Sequence, residues 1–419
     1  MTTKPRANGV TSEVAAAIRS ARVGKVLSFS FGSLLLMCLT ASVHADVDWH
    51  LTTDIPTGQQ LPTNYTSVVG VPSGTSNQST KFVAVGWAYT ESTNQVFQFI
   101  SSMDGGQSWQ LLSTLATSPP HGQGEQIQLV HGDGVYILIN QSDSCQPWTA
   151  EGHPPQTCMW QSMDAINWTP VTPSTSLQQF YRIAYGNGRF VILGKSGSGY
   201  CYSDGQQDDR LRCNTLTSTN GLDWSDGLPT PSAINPLAND DRKRLVFIHD
   251  RFLFDGTDGG QISSSSYRMW ASTDGLTWFS GPAISAGQWP PCHYGNGVDY
   301  GSGRYVALRS TNSSNMSICT STDGINWSIQ PITGVLVSSE TPVRELTHFG
   351  GVFTIVNTHT ALSESVSGTT WHQVFTPDVR INSIAAIDND AVQVGQISGG
   401  HGFLYAHSDV IFKSSFEPE

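Results

Sequence analysis

A nine-residue phrase, Ala-Ser-Thr-Asp-Gly-Leu-Thr-Trp-Phe at 271–279, returns along the chain at a nearly constant interval. Every copy contains a tryptophan, and successive tryptophans are 44 to 59 residues apart. A period of this length is the mark of a repeat architecture. The tryptophans of the six copies are Trp109, Trp168, Trp224, Trp278, Trp327 and Trp371.

The chemistry of the phrase predicts a tight hairpin turn. Asp or Asn before Gly accepts N–H bonds within such a turn, and Gly adopts a positive φ without steric cost. The Ser that precedes the Asp can close the same turn, and the Trp begins the next strand and folds back over it. Six equivalent turns favour a structural role for these Asp residues over a role as catalytic acids or ligands.

A second phrase precedes each turn and predicts two more strands. It reads as a short strand, a Gly/Asn/Asp turn and a strand rich in β-branched and aromatic residues, which is a hairpin signal. With the strand before the Asp turn and the strand after it, each unit has four strands, which is typical of a β-propeller blade. The 41 glycines and the low charged fraction of 13% suit such an all-β chain.

The blade count depends on the two ends of the chain. After the sixth unit, residues 384–411 supply three strand-like segments and no Trp strand. Residues 47–53, which contain Trp49, resemble the missing strand. The sequence therefore predicts an all-β, seven-bladed β-propeller of four-stranded antiparallel blades over residues 46–411, closed by the N-terminal strand so that no free sheet edge remains. Residues 412–419 form a tail, either frayed or a sorting element.

Residues 1–45 are predicted to be a signal peptide. Five basic residues precede an apolar run at 26–39, and Val43-His44-Ala45 is a suitable cleavage site. A membrane anchor is the alternative, but the run is shorter than the roughly 20 residues that a span needs. Cleavage would shift the net charge from −12 to −16. A protein this acidic repels phosphate groups, so we expect no nucleic-acid partner. The leader itself predicts secretion, with no membrane span after its removal.

Six cysteines remain after the predicted cleavage, which fits an oxidising compartment. They allow fifteen pairings, and their places in the repeat favour the three pairs that are closest in sequence. Zinc is the alternative, but no C-x₂-C spacing supports it, and no metal or cofactor is expected. The favoured pairs are Cys145 with Cys158, Cys201 with Cys213, and Cys292 with Cys319.

The six phrases resemble the Asp-box, or BNR, repeats of sialidase-like β-propellers. The resemblance covers residues 47–411 and implies the propeller fold. Sialidases also have an F/Y-R-I-P phrase, three arginines that hold the substrate carboxylate, a Tyr/Glu nucleophile pair and an Asp acid/base. The most similar phrase here is Tyr181-Arg182-Ile183-Ala184, which lacks the proline and belongs to the first strand of the third unit. The resemblance thus implies fold rather than activity.

Candidate ligand-binding residues are those that depart from the repeat. All the turns are expected on one propeller face, so the loops between blades form the other face and the mouth of the central channel. When the hairpins are aligned, Arg182, Arg244 and Glu345 share one register and could converge around the axis. The complete set is Arg182, Arg244, Trp289, His293, Tyr294, Arg344, Glu345 and Arg380.

Three interpretations of this set remain open at the level of sequence. In the first, the chain is a binding module that takes a glycan or an extracellular protein, with aromatic rings, Arg and Glu as contacts. In the second, it is an exported glycan-acting enzyme, a glycoside hydrolase or a lyase, in which the arginines hold a carboxylated sugar while a Glu acts with a Tyr or His. In the third, the arginines only satisfy carboxylates and carbonyls near the channel. No catalytic residue can be assigned, and no paired-carboxylate motif supports the second interpretation.

Overall fold

The computed structural model divides the chain into two compact units, 1–43 and 44–419, and all of the residues that it describes belong to the second. The predicted leader and the C-terminal tail lie outside the described residues. All regular elements within the described residues are β-strands. The described residues are 47, 49–52, 64–72, 81–89, 95–116, 127–140, 158–173, 177, 179–195, 213–227, 234–235, 245–258, 267–282, 297–310, 316–331, 343–357, 362–374, 379–397 and 400–408.

The strands form seven antiparallel sheets, which are the blades of a β-propeller, as the sequence predicts. A short strand, β1 (His50–Leu51), comes first in the chain. Blade 1 consists of β2 (Asn64–Gly70), β3 (Phe82–Tyr89), β4 (Gln95–Ser102) and β5 (Gln110–Ala116). Blade 2 consists of β6 (Ile127–Gly132), β7 (Val135–Asn140), β8 (Met159–Ser162) and β9 (Thr169–Pro170). Blade 3 consists of β10 (Gln179–Gly186), β11 (Arg189–Lys195), β12 (Cys213–Ser218) and β13 (Ser225–Asp226).

In blade 4 two short strands share the first position, because both pair with the same strand. This blade consists of β14 (Ile234–Asn235), β15 (Val246–Ile248), β16 (Arg251–Asp258), β17 (Tyr267–Ser272) and β18 (Phe279–Ser280). Blade 5 consists of β19 (Val298–Gly301), β20 (Arg304–Ser310), β21 (Met316–Ser321) and β22 (Ser328–Pro331). Blade 6 consists of β23 (Val343–Phe349), β24 (Val352–Asn357), β25 (Leu362–Ser365) and β26 (His372–Val374). Blade 7 consists of β27 (Val379–Ile387), β28 (Asp390–Ile397), β29 (Gly400–His407) and β1.

The N-terminal segment closes the ring, as predicted. Strand β1 pairs antiparallel with β29 and completes blade 7. The Trp49 ring packs 6.5 Å from the ring of Phe349 in blade 6, and the Val47 N–H donates to the fully buried carboxylate of Glu364 in the same blade at 3.2 Å. On the other side, the Thr52 hydroxyl donates to the Gly106 carbonyl of blade 1 at 2.7 Å. Six residues therefore connect three blades.

The Asp turns are closed by the bonds that the sequence predicts. In blade 2, one carboxylate oxygen of Asp164 accepts the Ser162 hydroxyl at 2.9 Å and the N–H groups of Ile166 and Asn167 at 2.8 Å each. In blades 1, 2, 3 and 5 the Trp that follows donates its indole N–H to a carbonyl three residues earlier. The Asp side chains of these turns therefore hold the scaffold together, which confirms their structural interpretation.

The hairpin turns between the first and second strands lie at the same end of the propeller as the Asp turns. The Asn187 amide in blade 3 donates to the Thr273 carbonyl in the Asp turn of blade 4 at 2.8 Å. Likewise, the Ser302 hydroxyl in blade 5 donates to the Val366 carbonyl in the last turn, in blade 6, at 2.8 Å. We call this end the turn face, and the opposite end, where the first strands begin, the entry face.

Neighbouring blades fit together through glycines that face aromatic rings. A Cβ atom added to Gly132 of blade 2 would lie 2.1 Å from the Tyr185 ring of blade 3, and one added to Gly301 would lie 2.2 Å from the His348 ring. His348 also packs 4.7 Å from Phe353. A larger side chain at either glycine would separate the two blades. His348 is therefore a packing residue between blades 5 and 6.

The equivalent histidine in blade 2 is also a packing residue. The His131 ring lies 4.4 Å from the ring of Tyr136, and burial lowers the pKa of His131 to about 4. Its imidazole is therefore neutral at physiological pH.

Two of the six cysteines have described side chains. Cys158 lies in the core shared by blades 2 and 3, and Cys319 in the core shared by blades 4 and 5. Both are disulfide-bonded. Cys145, Cys201 and Cys292 lie outside the described residues, as does the Cys213 side chain. The three predicted pairings therefore stay predictions.

Replacing the turn carboxylate should separate its hydrogen-bonding role from its charge. Asp164→Ala should lower the free energy of unfolding by about 1–2 kcal/mol, because two N–H groups lose their acceptor. Asp164→Asn should cost less, since Asn220 already accepts the N–H groups of Leu222 and Asp223 at 2.9 Å in blade 3. Urea unfolding at neutral pH measures both changes.

The difference in unfolding free energy between the wild type and Asp164→Asn should depend on pH. Burial acts to raise the pKa of Asp164, but the bonds from Asn167 and Ile166 outweigh it and bring the pKa to about 2. The advantage of Asp over Asn is therefore present above the unfolded pKa of about 4 and is lost as the pH falls toward 2. A constant difference between the two proteins over this range would contradict the account.

Candidate functional site

The first strand of each blade lies at the edge opposite the Trp strand and next to the first strands of its neighbours. Strand β2 contacts both β27 and β6, and β6 contacts β10. These strands surround the propeller axis, so the residues near their beginnings lie at the entry face. The candidate site is the ring of positions where the first strands begin.

Side chains at equivalent positions tie one first strand to the next. In three blades this side chain is uncharged and accepts a backbone N–H from the following blade. The bond satisfies a donor that the diverging strands would leave unpaired. Ser383 accepts from Val68 at 3.3 Å, Ser67 from Leu129 at 3.1 Å and Gln128 from Ile183 at 3.0 Å. The Gln128 amide also donates to the Ile183 carbonyl at 3.0 Å. We call this position the bridging position.

Two charged residues of the candidate set occupy the bridging position. Arg182 lies four residues before the end of β10, and Glu345 four residues before the end of β23. The same count holds for Gln128 in β6 and Ser383 in β27. Arg182 and Glu345 are thus equivalent in register, as the aligned hairpins predict. Arg244 lies outside the described residues.

A β-bulge interrupts four of the first strands next to the bridging position. The register shifts by one residue in β2, β10, β23 and β27. A bulge leaves one residue outside the ladder and changes the direction of the strand and its side chains, and bulges are common next to binding sites. The bulged residues are Thr66, Tyr181, Arg344 and Asn382.

The structure positions the rest of the candidate set only in part. The half-buried Arg182 donates from Nη1 to the carbonyl of Tyr181 at 2.8 Å, a bond that holds its guanidinium group beside the bulge. Arg344 and Glu345 lie in β23, and Arg380 lies in β27. For these three residues the structure describes the backbone and not the side chain. Trp289, His293 and Tyr294 lie outside the described residues. Convergence of the arginines therefore stays a prediction.

The sequence reasoning missed one carboxylate between two first strands. Asp299 of β19 accepts the His348 N–H at 2.6 Å and the Thr347 hydroxyl at 3.3 Å from blade 6, and the Tyr300 N–H at 2.7 Å from its own strand. Burial raises the pKa of Asp299 to about 6, although these bonds act in the opposite direction. The signal in the sequence is an Asp inside an otherwise apolar strand phrase.

Two kinds of feature are absent from the described residues. No group of three or more His, Cys, Asp and Glu side chains there could hold a metal ion. The described part of the chain also contains no helix with the length and apolar character that a membrane crossing requires.

No protein-family model matches the chain, and no curated protein matches it. Solved structures do. YCF48 from Cyanidioschyzon merolae is 10% identical, with 86% of this chain and 98% of that chain covered and a TM-score of 0.52. A structure of YCF48 bound to D1 peptide is 13% identical, with 86% and 97% covered and a TM-score of 0.47. Trypanosoma rangeli sialidase is 11% identical, with 86% and 58% covered and a TM-score of 0.40.

The likeness to YCF48 from Cyanidioschyzon merolae, whose TM-score is above 0.5, shows the propeller fold alone at such low identity. The chemistry of the candidate site therefore depends on the residues of this chain.

Asp299 gives a pH prediction with the opposite sign from the Asp turns. Because its folded pKa lies near 6 and its unfolded pKa near 4, the folded state binds the proton more tightly. Its stabilising contribution is present below the unfolded pKa and is lost as the pH rises through 6, with a change on the order of 2 kcal/mol. Asp299→Asn should flatten this part of the stability profile, as measured by urea unfolding between about pH 4 and pH 7. An unchanged slope in the variant would show that another group is responsible.

Proposed function

We propose that this chain is an exported binding module that takes its ligand at the entry-face mouth of the propeller. The observation that carries the proposal is the bulge repeated at one position in four first strands. In blade 7 the bulged Asn382 donates to the Tyr65 carbonyl of blade 1 at 3.0 Å, which is a structural use of the bulge. In blades 3 and 6 the bulge instead lies beside the charged residues Arg182 and Glu345, and a binding site benefits from redirected side chains.

Charge patterning supports a ligand contact on part of this ring. In blades 7, 1 and 2 the bridging position holds small or amide side chains that bond the next blade. In blades 3 and 6 it holds Arg182 and Glu345, and Arg344 occupies the adjacent bulge. Guanidinium and carboxylate groups at the mouth of a channel can make charge-assisted hydrogen bonds to a ligand, which the serines and the amide of the other blades cannot. This half of the ring is therefore the proposed contact surface.

The residue types favour a glycan that bears a carboxylate, with an acidic peptide as the second ligand class. Guanidinium groups bind carboxylates with paired, charge-assisted hydrogen bonds. Nucleic acid is a poor fit, because the mature chain would carry a net charge of −16 and would repel a phosphate backbone. Export through removal of residues 1–45 belongs to the proposal, and the mass of the secreted protein, expected to begin at Asp46, tests it.

A glycan array probed with the secreted protein, followed by calorimetry with the glycans that bind, tests the site. Arg182→Ala should weaken binding of carboxylated glycans by about tenfold, because a charge-assisted bond is lost. Arg189 offers a matched control, since it is also half-buried and lies at the turn-face end of the same hairpin. Arg189→Ala should leave the affinity unchanged.

Two results would overturn the proposed site. One is equal loss of affinity in both arginine variants, and the other is an array without a glycan signal together with no binding of acidic peptides.

Chromogenic glycosides distinguish the alternative function, because release of the chromophore by the wild-type protein would identify a glycoside hydrolase instead of a binding module.

A further inference from the structure

The Asp turns of blades 1–3 carry exposed apolar side chains at their tips. The exposed fractions are 49% for Met103, 64% for Met163, 41% for Ile166 and 54% for Leu222. Single exposed apolar residues are common on proteins. These four instead recur at two fixed places of the repeated turn, in three successive blades. We call them the apolar arc.

The turns that carry the arc are neighbours on the turn face. The Ser113 hydroxyl of blade 1 donates to the Ala165 carbonyl in the turn of blade 2 at 2.7 Å. The Gln161 amide of blade 2 donates to the Asn220 carbonyl in the turn of blade 3 at 3.4 Å. Each turn is therefore seated on the preceding blade, and the three tips follow one another along the rim.

Stability of the turn does not require these apolar tips. The residue between Ser and Asp is Met103 in blade 1 and Met163 in blade 2, but Thr273 in blade 4 and Thr322 in blade 5. In blade 4, with Thr273 at its tip, Gly275 and Thr277 still donate their N–H groups inside the turn, at 2.8 and 2.7 Å. At the other tip place, Leu276 and Ile325 of blades 4 and 5 are half-buried rather than exposed. Blade 6 carries one exposed apolar tip, Val366, at the place of Met103 and Met163 with 46% of its side chain exposed, so the exposed apolar tips of successive blades are those of blades 1–3.

Carboxylates surround the arc. Asp104, Asp133 and Asp223 are exposed beside it, and Asp164 is half-buried. Among the described residues of blades 1–3, the turn-face cations are Lys81, whose ammonium group lies 2.6 Å from Asp390 of blade 7, and the half-buried Arg189. The surface therefore combines flexible apolar side chains with a negative field, which complements a partner that is basic and apolar.

We infer that the apolar arc is a docking surface for a basic, amphipathic segment of a partner protein. Methionines adapt to varied apolar partners, and an amphipathic helix presents a continuous apolar stripe flanked by cations. The arc lies on the face opposite the proposed ligand site. The two sites are therefore separate, and the module could hold a partner protein on one face and a ligand on the other.

The test uses the full chain and a synthetic 18-residue helical peptide with leucines on one face and lysines on the other. Thr replaces Met103 and Met163 in the double variant, because Thr occupies the same place in blades 4 and 5. We expect the wild type to bind the peptide and the double variant to bind about tenfold more weakly. Asp133→Asn, chosen because Asn187 occupies the same turn place in blade 3, should weaken binding further and reduce its salt dependence.

The controls address folding and charge separately. The double variant Thr273→Ser, Thr322→Ser changes the same turn place in blades 4 and 5 and should leave the affinity unchanged. A peptide with Glu in place of Lys should not bind. The inference is wrong if the wild type does not bind the lysine peptide, if the methionine variant binds it with the wild-type affinity, or if the glutamate peptide binds equally well.

Discussion

Every blade of this protein buries both faces of its sheet against neighbours, and only a closed ring can do this for all seven. The short segment at 47–52 completes the ring, and its contacts reach blades 6, 7 and 1. Apolar burial supports this closure, because Val47 and Trp49 share one buried cluster with Phe349 of blade 6 and Leu404 of blade 7.

The repeated parts of the fold were predictable because they depend on local chemistry. Asp-Gly turns, Trp strands and Gly-Asn-Gly hairpins follow from residues within a few positions of each other, and the missing strand of blade 7 followed from counting units. The bulges at Tyr181 and Arg344 were not predictable, because a single extra residue at the start of a short strand leaves its apolar pattern intact.

The candidate site could be predicted only as a region. Its bridging bonds join residues about 55 to 315 positions apart, such as Gln128 with Ile183 or Ser383 with Val68. Such partners depend on which edges face each other across two blades. The aligned register predicted the equivalence of Arg182 and Glu345, but it could not reveal that the same position ties neighbouring blades together. The role of Asp299 could not be predicted for the same reason, since its partners in blade 6 lie almost fifty residues away in the sequence.

The central claim is that pairing of the N-terminal segment with β29 holds the ring closed, and amide hydrogen exchange of two variants tests it most directly. The Thr52 N–H donates to the Phe403 carbonyl at 2.9 Å. Thr52→Pro removes this donor, whereas Thr52→Val keeps it and loses only the hydroxyl. The account predicts that the proline variant loses protection in β28 and β29 and then in blades 6 and 1, while the valine variant keeps most of it. Equal protection in both variants would contradict closure by this strand.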